Sequence, residues 1–177
     1  SASLVDSLTD VSLVGMSDNF TPGNGAPSQA PNAFTDQLNA AGVPPEMHGW
    51  LSTNGVGRLV EKLGIHFVEM TAERMVATMP VEGNEQVAGI LHGGAHMVLA
   101  ETLGSFGAAI HAGPGRQALG IEIGATHHRS ISSGTVTGTA TAIHLGNTLV
   151  THEIVMTDEQ GRRLSTARMT NMLRDVR

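Results

Sequence analysis

The feature that most constrains this chain is the run GILHGGAHMVLAETLGSFGAA at 89–109. It exceeds the length of a strand and fits one helix, and it is apolar nearly all round, so most of its surface must be buried. Gly93, Gly94, Gly104 and Gly107 fall inside it, each costing roughly 1 kcal/mol against Ala in a helix interior. Something must therefore approach the helix closely. A single carboxylate, Glu101, interrupts the run and asks for a reason of its own.

The flanks say what buries the helix. IHFVEM and ERMVATMPV, on either side of Thr71 and Ala72, are short β-rich runs that predict a hairpin. After the helix the period becomes two. ALGIEIGATHHRS places Leu119, Ile121 and Ile123 on one face, GTVTGTATAIHL alternates Thr135, Thr137, Thr139 and Thr141 with smaller apolar residues, and NTLVTHEIVM and RRLSTARMTNMLR flank the turn DEQGR. Hairpin, long helix and about four more strands predict an α+β fold, a curled antiparallel β-sheet wrapped around one long central helix. FTDQLNAAG and MHGWLSTNGVGRLVEKLG, separated at Pro44 and Pro45, read as short covering helices. Residues 1–33, which run through PGNGAPSQAPN, read as a flexible tail, with the folded domain over 34–177.

Composition narrows the function. Without cysteine there is neither a disulfide framework nor a thiolate metal site, and the cytoplasm is the expected compartment. No apolar run reaches the ~20 residues of a membrane helix, and Asp6, Asp10 and Asp18 with no Lys or Arg in the first 33 residues argue against a signal peptide. The net charge of −6 and the four Phe, one Trp and no Tyr argue against nucleic acid. Residues 1–101 carry 11 acidic and 3 basic side chains, and residues 102–177 carry 5 and 7. A small anion would go to the second half.

QVAGILHGGAHMVLAETLGS, followed in order by EIGATHHRS and AIHLGNT, resembles the hotdog-fold thioesterases over residues 50–174. The likeness is to the branch of 4-hydroxybenzoyl-CoA, phenylacetate-pathway and 1,4-dihydroxy-2-naphthoyl-CoA thioesterases. It implies hydrolysis of an acyl-CoA thioester, aryl-CoA favoured, with no metal or organic cofactor because coenzyme A is part of the substrate. It makes the Gly93 N–H the oxyanion donor, Glu101 the nucleophile or general base, and Ser105, at i+4 on the same face, the residue that places water. It sets Gln86 and His92 beside the thioester carbonyl, and gives His128, Arg129 and Ser130, with His144, Leu145, Gly146 and Asn147, contacts to CoA. Met97 falls in the acyl pocket. Many relatives have further basic residues around these segments where this chain has Thr135, Thr137, Asn147 and Thr148.

Gly93 and Glu101 are eight residues apart, about 12 Å along a helix at ~1.5 Å per residue, too far to meet one thioester carbon. The site is therefore expected to be shared between chains, in a homodimer or dimer of dimers with the helices side by side, which would also account for the small residues. Other readings stay open: a non-catalytic acyl-CoA sensor, or a thioesterase acting on an acyl-carrier-protein thioester. A zinc site on His92 and His96, with His127 and His128 nearby, is disfavoured, because the glutamate of an HExxH motif is missing and the glycines place His92 ahead of the helix.

Overall fold

The computed structural model describes residues 33–41, 43, 45, 48–49 and 56–176. The tail expected over 1–33 lies, Ala33 apart, outside the described residues. Helix α1 (Ala33–Ala40) and the short α2 (Arg58–Lys62) lead into strands β1 (His66–Met70) and β2 (Arg74–Pro80). Helix α3 (Gly93–Ala112) follows, then β3 (Arg116–His127), β4 (Thr135–Leu145), β5 (Leu149–Thr157) and β6 (Arg163–Asp175). The six strands form one open antiparallel sheet in the order β1-β2-β4-β5-β6-β3, wrapped around α3. The hairpin and the long helix stand where the sequence pattern predicts them, but the expected four-strand meander holds only for β4, β5 and β6: β3 does not lie beside β4 and instead pairs with β6 at the far edge.

The sheet's inner face carries the apolar alternation. Met75, Ala77 and Met79 of β2, Val136 and Ala140 of β4, Ile154 and Met156 of β5, and Ala167 and Met169 of β6 are buried against α3. The threonines of β4 take the opposite face, as period two requires. Leu38, Val43 and Val60 are buried in the same core, so the segments before the hairpin do cover it.

The helix and the sheet meet through glycines on both sides. Leu99 and Leu103 press onto Gly138 in β4, where an added Cβ would lie 2.8 Å from a Leu103 methyl. In return, a Cβ on Gly104 would sit 2.8 Å from the Met169 sulfur, and one on Gly107 would sit 2.9 Å from His152 Nε2. The small residues expected to admit a second helix are thus used, at Gly104 and Gly107, by side chains of this chain's own sheet.

Strand β3 departs from the pattern. A bulge between Gly120 and Glu122 shifts the register, so Leu119 pairs with Met172, which faces outward, and Ile123 pairs with buried Met169. Leu119 and Ile123 therefore do not share a face, and Ile121, at the bulge, is 55% exposed. Alternation alone could not reveal the extra residue.

Candidate active site

The start of α3 is built by the loop before it. Glu85 bridges Leu91, the Gln86 N–H donates to the Ile90 carbonyl, and Gly89 takes φ +68° to close the turn. Asn84 anchors this loop by donating through Nδ2 to the carbonyls of Leu63 and Pro80. Gln86, half-buried, is thereby held beside the residues that open the helix.

His92 is the N-cap: its Nδ1 accepts from the Gly94 N–H at 2.8 Å. An accepting Nδ1 puts the proton of the neutral ring on Nε2, which leaves one imidazole N–H to donate outward. The other terminal amides are also accounted for. The His92 N–H goes to the Asn84 carbonyl and that of Ala95 to the His92 carbonyl. Among the described residues only the Gly93 N–H of this group has no acceptor. An unsatisfied amide at the positive end of a 20-residue helix is a ready donor to a developing oxyanion.

Glu101 lies two turns further on, exposed, with no hydrogen bond or ion pair to any described residue. With Gly94, Met97, Val98 and Ser105 it forms the stripe of α3 that the sheet leaves open. The Ser105 hydroxyl has only the Met169 sulfur within reach, at 3.9 Å, a weak acceptor. It keeps its capacity to hold water.

His127, at the end of β3, folds over the same helix terminus: its Nε2 is 3.1 Å from where a Cβ on Gly93 would be. His96 lies beneath it, buried, with Nδ1 2.8 Å from the Ser165 hydroxyl. Burial, and secondarily the charge of His127, lowers the His96 pKa to about 4, so the ring is neutral near pH 7. The sequence offered these histidines only as members of a zinc pair; the doublet in EIGATHHRS was the signal that a ring from β3 could reach the helix. His92 Nδ1 and His96 Nδ1 are each already engaged, and no cluster of three or more His, Asp or Glu suited to a metal occurs among the described residues.

His128, Arg129 and Ser130 continue from His127 at this same end. The amides of His128 and Arg129 both donate to the Leu164 carbonyl, and Arg129 is exposed with no acidic partner among the described residues. Ser130 lines a polar cavity of about 300 Å³ together with Ile90, Asp158 and Arg162.

The structure does not bring His144–Asn147 to this place within one chain. His127 is level with Ser165 on β6, whereas Leu149 is level with Met172, about 23 Å further along at ~3.3 Å per residue. The turn packs instead at the C-terminal end of α3, where His111 Nε2 is 3.1 Å from the Gly146 carbonyl and Arg116 donates to the Asn147 carbonyl.

A family model described as the Thioesterase superfamily matches residues 88–165, which hold the helix and most of the meander. The proofreading thioesterase EntH of Cronobacter turicensis is 45% identical over 121 residues, 68% of this chain and 88% of that protein. The chain belongs to the thioesterase superfamily. The EntH of Klebsiella pneumoniae is 42% identical over 120 residues, 67% of this chain and 88% of that protein. Among solved structures, a thioesterase from Haemophilus influenzae is 32% identical with a TM-score of 0.65, covering 75% of this chain and 91% of its own. A mutant thioesterase from Pseudomonas aeruginosa is 33% identical with a TM-score of 0.66, covering 84% and 98%. This superfamily member has the hotdog fold and is a thioester hydrolase.

Proposed function

We propose that the chain hydrolyses acyl-CoA thioesters, aryl acyl groups favoured, in a two-fold assembly where the Gly93 amide of one copy faces Glu101 of another. One observation carries the reading: the Gly93 N–H and Glu101, neither with a partner among the described residues, lie on one helix, about 12 Å apart at ~1.5 Å per residue. A second helix laid antiparallel on the open stripe closes that gap without moving either group.

In this arrangement the thioester oxygen accepts from Gly93 N–H, and the helix dipole and the outward Nε2–H of His92 stabilise the charge that develops on it. Glu101 either attacks the carbonyl carbon to give an anhydride or takes a proton from water held at Ser105. The carbon–sulfur bond breaks and CoA leaves as its thiolate; on the anhydride path water then hydrolyses the anhydride, releasing the acid and restoring the Glu101 carboxylate. Gln86 borders the carbonyl and Met97 the acyl group. His128, Arg129 and Ser130 meet the phosphates and pantetheine, while the distant His144–Asn147 turn serves the site of the neighbouring copy. The protein's own groups and water supply all of this chemistry, so no metal or organic cofactor enters.

Because the chain has no cysteine, a thiol reagent reports only the thiol freed from substrate, CoA or the carrier protein's own. The test is that release over aromatic, medium-chain and short-chain acyl-CoAs and one acyl-carrier-protein thioester, for the native chain and Glu101→Ala. Turnover on an aryl-CoA, lost by about 10³-fold in the variant, is the expected result. Preference for the carrier-protein thioester would replace CoA as the carrier, and no turnover on any member would favour an acyl-CoA sensor.

A further inference from the structure

His96 is a buried titratable group that the mechanism above leaves unused. Its neighbours give it a place. His127 is the register partner of Ser165, and paired residues of an antiparallel sheet share a face, so both point at the helix. His96, one turn into α3, sits between them: Nδ1 on the Ser165 hydroxyl, and its ring 5.1 Å from that of His127 at 76°, edge against face. His127 in turn covers the Cα of Gly93, with ring atoms 3.1–3.7 Å from where a Cβ would be.

We propose that His96, held by Ser165, is a positioning residue that fixes the His127 ring against Gly93, beside the amide that receives the thioester oxygen. The proposal rests on the thioesterase reading for its effect on rate. His127, which is exposed, has no other polar hold on it: no hydrogen bond or ion pair joins its ring to another described residue. Burial keeps His96 neutral, so it presents an uncharged ring to His127 and adds no repulsion to it at neutral pH. A shift of about 1 Å at an oxyanion corner is worth up to about 10²-fold in rate, which sets the scale of the effect.

Two variants separate positioning from simple packing. His96→Asn keeps a polar atom in reach of Ser165 but removes the ring that meets His127; Ser165→Ala leaves the ring and removes the bond that sets its tilt. Each should lower kcat about 10-fold with KM changed less than about 2-fold. In a double-mutant cycle, His96→Asn should cost less than about 2-fold in kcat when His127 is already Ala, because both act through one ring. Additive losses, or a His96→Asn variant with native kcat, would overturn the proposal. An NMR readout needs no turnover: the nuclear Overhauser contact between the His127 ring and the Gly93 α protons should be present in the native chain and lost in both variants. If the native chain hydrolyses no thioester, the thioesterase reading fails, while that contact still decides whether His96 holds His127.

Discussion

The buried and open faces of α3 are made from the same kinds of residue and are used in opposite ways. On the buried face every small residue is filled: Gly104 by Met169 and Gly107 by His152, with Leu99 and Leu103 seated on Gly138. The open stripe keeps its groups unspent. Among the described residues Glu101 has no partner, Ser105 has only a sulfur, and at the helix start the Gly93 amide has no acceptor. Close packing consumes conformational and bonding capacity, so the groups available for chemistry are those that the sheet does not reach. Glu101→Ala tests the contrast most severely. Turnover should fall about 10³-fold while stability stays within about 0.5 kcal/mol in urea titration, and a larger loss of stability would tie the carboxylate to the fold instead.

Acid should attack the buried face next. His96 is neutral because burial opposes its charged form and lowers its pKa to about 4, and burial lowers His152 as well despite the bond from its Nε2 to the Ala72 carbonyl. Between the ordinary histidine value of 6.5 and 4 the unfolded chain binds protons that the folded chain refuses. Stability is therefore full above pH 6.5 and declines as pH falls, at up to ~1.4 kcal/mol per unit for each group, about 3 kcal/mol in all from His96. Below that range Asp158 continues the decline. Burial raises its pKa, but the backbone and side-chain hydrogen bonds from Arg162 and their charge outweigh this and hold it below 3.8, so its stabilisation is lost as acid protonates it. Urea midpoints at pH 7 and pH 4.5 check the claim, and equal midpoints would mean that neither histidine is kept neutral by burial.

Gly107→Ala probes the same face by sterics. The new methyl would lie 2.9 Å from His152 Nε2 and 3.2 Å from the Met75 Cγ, and His152 is pinned by its bond to Ala72. Overpacking of this kind costs about 1–3 kcal/mol, against which Ala regains up to ~1 kcal/mol of helix propensity. A net loss of about 1–2 kcal/mol in thermal unfolding is expected. A stabilised variant would show that the helix can slide from the sheet, and the contrast between the two faces would lose its basis.

Much of this was legible in the residues. The length and apolarity of 89–109 fixed the helix almost to its ends, and period two laid out the strands but not the crossing that takes β3 to the far edge beside β6. The helix start was legible from Gly93 and Gly94, whereas the choice of the Gly93 amide as oxyanion donor came from the family resemblance alone. Other features depend on registers that no periodicity encodes. The bulge after Gly120 reverses the face of Leu119, and the pairing of His127 with Ser165 brings a β3 ring onto a helix more than twenty residues earlier in the chain. His128–Ser130 and His144–Asn147 lie apart within one chain for a related reason: antiparallel order puts the two segments at opposite ends of the sheet.

The smallest expected effect lies where the two faces meet, at His92. Its Nδ1 satisfies the Gly94 amide, a structural task, while its Nε2–H points outward, a chemical one. His92→Ala removes both and should cost about 1 kcal/mol of stability, the usual worth of an N-cap, together with part of kcat. Asn is among the best capping residues, so His92→Asn should restore the cap and the unfolding midpoint but not the outward donor. Stability regained without activity would separate the two nitrogens. If Asn restored both, the role of His92 would be the cap alone, and stabilisation of the thioester oxygen would fall to Gly93 and the helix terminus.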